Sequence, residues 1–151
     1  MYGRPAKLSP LATVAYEIEM LDFCAERFKE KEERLGTAWD RDTGVYLEAF
    51  LLHYRNLIRF FSGKPGRPGD LSTRNSIIWG GRELNAAEIA NIKEPAEALD
   101  SKWHAIISKY LQHLTKIRSD LDRCWDLPAM HKEITPVIAA FKQAFPSKVP
   151  A

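Results

Sequence analysis

The spacing of apolar residues in the segment 43–61 limits the fold of this 151-residue chain more than any other feature. Large apolar side chains recur there every three or four positions, which places them on one face of an α-helix. The members of this face are Leu47, Phe50, Leu51, Tyr54, Leu57, Ile58 and Phe61. The sequence therefore predicts a long amphipathic helix with one side in a hydrophobic core.

Three further segments show the same periodicity and carry helix start or stop signals. A first helix should begin at Ser9 and Pro10, because serine caps free amides and proline suits the first turn. Gly36 should end that helix. A long amphipathic helix is expected after Pro95, and Asp126-Leu127-Pro128 should open a last one.

Prolines and glycines predict where these helices are interrupted. Asn85 should cap a short helix that Pro95 interrupts, and Pro136 should kink or divide the last helix. The segment 62–76 contains three Gly and two Pro, and residues 77–79 form a short apolar patch. We expect a flexible basic loop at 62–76. Its basic residues are Lys64, Arg67 and Arg74.

The whole pattern predicts a single all-α domain over residues 1–151. No segment alternates as a strand does, and neither an internal repeat nor a Gly-x-Gly phosphate loop is present. We expect four main helices plus a short one, packed as an up-and-down bundle. The 22 basic and 20 acidic residues give a net charge of +2, which argues against a strongly basic nucleic-acid-binding surface and leaves room for a local basic patch.

Cysteine usage and hydropathy predict a cytoplasmic location. Cys24 and Cys124 are 100 positions apart and have no metal or redox spacing, so we expect reduced thiols, although the sequence also allows one disulfide. No apolar run is long enough to span a membrane, and no signal peptide is recognisable.

The first helix has a second apolar stripe, which predicts a homodimer. Tyr16, Met20 and Phe23 lie roughly opposite the stripe that should face the core. A helix with two apolar faces needs a second partner for one of them, and another copy of the chain would supply it.

The arginines of the central helix are the best candidates for binding a ligand. Arg55 and Arg59 are one turn apart on the same side, where like charges repel. A phosphate between them would stabilise this arrangement. So would a carboxylate, supplied either by Glu48 or by another helix.

Histidines near these arginines are the candidate catalytic groups. His53 and Asn56 are three residues apart on the central helix, and His113 is at the edge of the later apolar stripe. If the two helices pack antiparallel, imidazole could act as a general base while Arg55 stabilises a phosphate. Alternatively, each histidine bonds a carbonyl or an acid beside the core. We expect no metal site, because the four histidines show no H-E-x-x-H spacing. We also expect no cofactor.

Two stretches of the sequence carry a resemblance to known proteins. Residues 47–61, which read LEAFLLHYRNLIRFF, and residues 110–115, followed by Trp125-Asp126, are similar to segments of uncharacterised bacterial helical proteins. These proteins in turn resemble the HEPN group of all-α bundles. The resemblance covers about half of the chain.

The HEPN resemblance implies a bundle of four or five helices, commonly a homodimer. Many members cleave RNA without a metal, with an arginine, a polar residue and a histidine four to six positions further on. Arg55 and Asn56 match the first two positions, whereas Phe60 or Phe61 stands where the histidine belongs, unless His113 replaces it.

The resemblance and the residues together lead to one main functional hypothesis. We expect a HEPN-like protein that binds RNA or a nucleotide phosphate at Arg55 and Arg59, with the ribonuclease motif broken. The alternative is a non-catalytic protein–protein interaction module, such as an antitoxin or a scaffold. A pocket between the central helices that binds a small molecule is a third option.

Overall fold

The computed structural model describes residues 9–35, 40–64, 70–73, 83–112 and 125–145. Helices make up nearly all of this part of the chain, and none of its residues is in a strand. The elements are α1 (Pro10–Leu35), α2 (Arg41–Ser62), α3 (Ala86–Glu88), a π segment (Ile89–Lys93), α4 (Glu94–Gln112) and α5 (Leu127–Ala144). The predicted all-α class with four long helices is confirmed, whereas the predicted short helix is continuous with α4 through the π segment.

Helix α1 begins as its sequence predicts. The Ser9 hydroxyl accepts a hydrogen bond from the amide of Ala12 at 3.2 Å, and Pro10 is the first helical residue. The apolar stripe of the helix is buried, with the smaller Ala25 only partly covered. The buried members are Leu11, Val14, Ile18, Leu21 and Phe28.

Helix α2 is fixed at both ends by its own capping residues. The Asp40 carboxylate accepts from the Thr43 amide at 2.8 Å and from the Thr43 hydroxyl at 2.7 Å. These bonds, together with the Lys31 ammonium, hold the pKa of Asp40 well below its usual range. Gly63 ends the helix at φ 65°, a left-handed conformation that glycine adopts without steric cost. Every residue of the predicted apolar face is buried.

Helices α1 and α2 pack antiparallel. Lys31, near the end of α1, lies 2.9 Å from the Asp40 carboxylate at the start of α2. At the opposite end of the pair, Tyr16 meets the ring of His53 edge-on, with ring centroids 6.1 Å apart. The start of α1 therefore lies beside the second half of α2.

The prediction that Pro95 interrupts the preceding helix is wrong. Asn85 does cap α3, in a capping box with Glu88, but the chain remains helical from there through α4. Proline lacks an N–H, and its ring collides with the carbonyl four residues back in an α-helix. The π segment widens the turn before Pro95, with the Glu94 amide bonded to the carbonyl of Ile89, and this makes room for the ring.

Helix α5 runs unbroken through its internal proline. Asp126 caps it by accepting from the Ala129 amide at 3.0 Å, and Pro136 lies on the exposed side. Of the two predicted outcomes, division at Pro136 is excluded. The predicted inward face is buried, comprising Met130, Ile134, Val137, Ile138, Phe141 and Phe145.

One hydrophobic core joins all four long helices. Phe60 and Phe61 of α2 meet Phe141 of α5 in this core, with ring centroids 5.6 Å and 5.2 Å from it. No described helix is both long and apolar enough to cross a membrane. Several sequence predictions concern positions outside the described residues, namely Gly36, Arg67, Arg74, Cys124, the patch at 77–79 and most of the loop at 62–76.

Candidate functional site

Helices α2 and α4 pack antiparallel and form one wall of an open cleft. Lys64, just beyond α2, meets Asp100 near the start of α4, while Arg59 meets His104 one turn further along. The cleft has a volume of about 770 Å³ and is completed by α1 and the segment 70–73. We call it the α2–α4 cleft.

The α2–α4 cleft is lined by both polar and apolar side chains. Neutral side chains capable of hydrogen bonding come from three helices, and Val14, Leu57, Phe60 and Leu71 supply apolar surface. The ionisable residues of the lining are Glu17, Arg55, Arg59, Lys64, Asp70 and His104. Three of these six are permanent cations, and all three lie on or directly after α2.

A buried aspartate beneath the cleft holds two of these cations. Asp100 is only 4% exposed. Lys64 Nζ donates to Asp100 Oδ2 at 2.7 Å, and Arg59 Nε lies 3.2 Å from Oδ1. The second contact is an ion pair without the angle of a hydrogen bond, because Oδ1 has no hydrogen-bonding partner among the described residues. For Arg59, the acid is thus on another helix, one of the two alternatives that its sequence position suggested.

His104 receives the other end of the Arg59 guanidinium. Arg59 Nη2 lies 2.8 Å from His104 Nδ1. Since a guanidinium can only donate, Nδ1 must accept, and the proton of the neutral imidazole is then on Nε2. Burial lowers the pKa of His104, and the positive charge of Arg59 lowers it further. His104 is therefore a neutral hydrogen-bond donor near pH 7.

Arg55 differs from Arg59 because it has no acidic partner in the part of the chain that the structure describes. No hydrogen bond or ion pair joins its side chain to any other residue within the described part of the chain. The side chain is partly buried and lines the cleft. Desolvation lowers the pKa of Arg55, and the neighbouring charge of Arg59 adds to this effect. Both effects disfavour the charged form of Arg55, which an anion in the cleft would stabilise.

His53 and Asn56 bond the same carboxylate of α1. His53 Nδ1 lies 2.7 Å from Glu17 Oε2, and Asn56 Nδ2 donates to that oxygen at 3.3 Å. His53 is 8% exposed and does not line the cleft, whereas Asn56 does. His53 thus has the acid contact at the edge of the core that was the alternative to a catalytic role.

The remaining predicted site positions lie elsewhere. Phe60 and Phe61, at the positions where HEPN ribonucleases carry histidine, are 5% and 0% exposed within the core. His113 lies outside the described residues. In the described ranges, no group of three His, Cys, Asp or Glu side chains is arranged to hold a metal.

The sequence interpretation missed Asp100 and His104 as members of the site. Asp100 lies between Ala96 and Trp103 at the four- and three-residue spacing of the core-facing side of α4. An acid in a core-facing position requires a cationic partner, so this spacing could have been used to find it. His104, the next residue along from Trp103, then follows from the antiparallel packing of α2 and α4.

Together, these contacts favour anion binding over acid–base catalysis. Arg55 offers a guanidinium that no described residue pairs with, and His104 offers an N–H donor if Nε2 faces the ligand. General-base catalysis by His104 would need a free ring nitrogen, and Arg59 already occupies the acceptor nitrogen. No protein-family model, curated protein or solved structure matches the chain.

Proposed function

We propose that the α2–α4 cleft binds a phosphate group, of RNA or of a nucleotide, through Arg55. One observation carries the proposal: a partly buried guanidinium, without an acidic partner among the described residues, lines an open cleft one turn from a second arginine. The planar fork of arginine matches two phosphate oxygens, which makes this side chain the usual choice for phosphate recognition.

The energetics of Arg55 support an anionic ligand. A desolvated cation without a counter-charge is costly, and structures normally pair such groups. A hydrogen bond to a charged group contributes about 1.5–3 kcal/mol, so a phosphate that accepts from Arg55 would be held with useful affinity. Arg59 and Lys64, fixed by Asp100, add positive potential to the same wall of the cleft.

The proposal includes a HEPN-like character without ribonuclease activity. The all-α bundle and the presence of Arg55 and Asn56 in one cleft support the likeness. Phenylalanines of the core occupy the motif's histidine position, and the nitrogen of His104 that could accept a proton is already bonded to Arg59. We therefore expect binding, and no cleavage of RNA in the absence of a metal.

Binding assays with a matched pair of variants test this function. A short single-stranded RNA and a nucleoside monophosphate are titrated into the wild type, Arg55→Met and Arg41→Met. Arg41 is an exposed arginine at the far end of the same helix. Losing one charged hydrogen bond should weaken binding by about tenfold or more in Arg55→Met only. Equal affinity of all three proteins, or no binding by the wild type, would contradict the proposal.

A second candidate function, an interaction module, is favoured by the outer face of α1. Tyr16 and Phe23 are each 47% exposed, and Phe23 also meets the ring of Tyr46 on α2. Aromatic residues are enriched at interfaces because they bury a large area at little entropic cost. We propose that this face joins two copies of the chain, and that the protein is cytoplasmic, in keeping with the buried free thiol of Cys24.

A further inference from the structure

We propose that the α2–α4 cleft selects a phosphomonoester, the terminal phosphate of a nucleotide or of an RNA end, over the phosphodiesters inside an RNA strand. This inference rests on the proposed phosphate binding at Arg55 and names the class of phosphate that the cleft takes.

The charge around Arg55 matches a dianion better than a monoanion. Arg55, Arg59 and Lys64 bring three positive charges to the α2 side of the cleft, and Asp100 beneath them cancels one. This wall of the cleft therefore carries an excess of two positive charges, while α1 and the segment 70–73 add the carboxylates of Glu17 and Asp70 to the lining. A phosphomonoester carries roughly −1.5 to −2 near pH 7, whereas each phosphodiester carries a single negative charge. A phosphate held against this wall is therefore attracted more strongly as a monoester than as a diester.

The carboxylate of Glu17 in the rest of the lining disfavours a continuing strand. Glu17 of α1 contacts the imidazole of His53 and the amide of Asn56, so no permanent cation in these contacts neutralises its charge. An RNA strand that crossed the cleft would bring further phosphates towards this carboxylate, and like charges repel. A ligand with one terminal phosphate avoids this repulsion.

The remainder of the lining suits the uncharged part of such a ligand. Ser108 and Gln112 follow His104 at intervals of four residues, so the three lie on one face of α4 and line the cleft together. Their hydroxyl and amide groups can donate and accept hydrogen bonds without charge. Val14 and Leu57 offer apolar surface nearby. A sugar or a base could contact both kinds of surface.

Two matched pairs of probes test the inference on the full chain. The first pair is adenosine 5′-monophosphate and its methyl ester, which differ by one methyl group and one negative charge. The second pair is a twelve-nucleotide single-stranded RNA with a 5′-phosphate and the same RNA with a 5′-hydroxyl. We expect the phosphomonoester of at least one pair to bind about tenfold tighter than its partner, as the loss of one charge-assisted hydrogen bond would give.

Variants assign this preference to the cleft. Arg55→Met should remove it, whereas Arg41→Met should keep it, with unchanged circular dichroism as the check on folding. Preference within the adenosine pair alone identifies a small nucleotide, and preference within the RNA pair alone identifies a strand end. Equal binding of both members of each pair, still dependent on Arg55, would overturn the selectivity and leave the proposed function standing. Absence of all binding would overturn both.

Discussion

Arg55 and Arg59 show how two identical side chains one turn apart acquire different roles from their partners. Arg59 is held by Asp100 on one side and by His104 on the other. Arg55 has neither partner and lines the cleft. The repulsion between them is offset for Arg59 by the buried aspartate, which leaves Arg55 as the group that an added anion would stabilise most.

Asp100 should be important for stability because two cations depend on it. In Asp100→Asn, Lys64 and Arg59 lose their counter-charge, and we expect the free energy of unfolding to fall by about 1–3 kcal/mol in urea denaturation. The value stays below that of a fully buried pair because both cations are about one-third exposed. The control Glu97→Gln removes a partly exposed acid of the same helix, 3.9 Å from Lys93, and should change stability by less than about 0.5 kcal/mol. Equal effects of the two substitutions would contradict the role of Asp100.

His104 should make stability decline in mild acid. Its pKa in the folded protein is lowered, first by burial and then by Arg59. The unfolded chain therefore takes up a proton more readily, and stability falls as the pH drops through about 6.5. Of the other charges near the ring, Arg55 and Lys64 act in the same direction and Asp100 opposes them.

A comparison of pH profiles isolates this effect from those of the other histidines. His104→Gln keeps a hydrogen-bond acceptor for Arg59 and cannot titrate. Between pH 7.5 and 5.5, the wild type should lose more unfolding free energy than His104→Gln does. Parallel profiles for the two proteins would show that His104 is not in the environment described.

At the scale of elements, the helices follow from local sequence signals and the site does not. Periodic apolar residues and caps such as Ser9 and Asn85 predict where helices lie, because both act within a few residues. The Pro95 error arose because a π turn before the proline is not visible in the pattern. Asp100 pairs with Lys64 only after α2 and α4 have packed, and that register depends on the whole core.

Gly63, which ends α2 beside the cleft, provides a test of such a local helix-capping signal. Gly63 has a positive φ, whereas Gly44 lies within α2. Gly63→Ala should destabilise the protein by about 1 kcal/mol, because a Cβ is disfavoured in the left-handed region. The same change at Gly44 should be neutral or stabilising by about 0.5–1 kcal/mol. Thermal unfolding measures both, and a loss of stability at Gly44 equal to that at Gly63 would contradict the assigned cap.

At the scale of the whole molecule, the outer face of α1 makes the oligomeric state testable. We expect a dimer in multi-angle light scattering, because Tyr16 and Phe23 are large, exposed and on the same element. Phe23→Glu should shift the dimer to the monomer, while Lys132→Glu, an exposed change on α5, should not. A wild-type monomer at high protein concentration would contradict this proposal and leave the cleft unaffected.

The net charge of +2 also has its explanation at this scale. This value is a sum over the whole chain, in which 22 basic and 20 acidic residues nearly balance. It therefore does not reveal the local charge of Arg55 in the α2–α4 cleft. Any electrostatic attraction for an anion should therefore be local and saturable, with a modest dependence on salt compared with proteins that bind along many phosphates.

The most direct test of the central claim observes the Arg55 guanidinium itself. Its Nε–Hε resonance can be assigned by comparison with Arg55→Lys and followed by NMR while adenosine 5′-monophosphate is added. We predict a saturable shift of the Arg55 resonance, with a smaller shift for Arg59 and none for Arg41. A resonance of Arg55 that stays in place, or one that shifts only as much as that of Arg41, would contradict the claim that this cleft is an anion site.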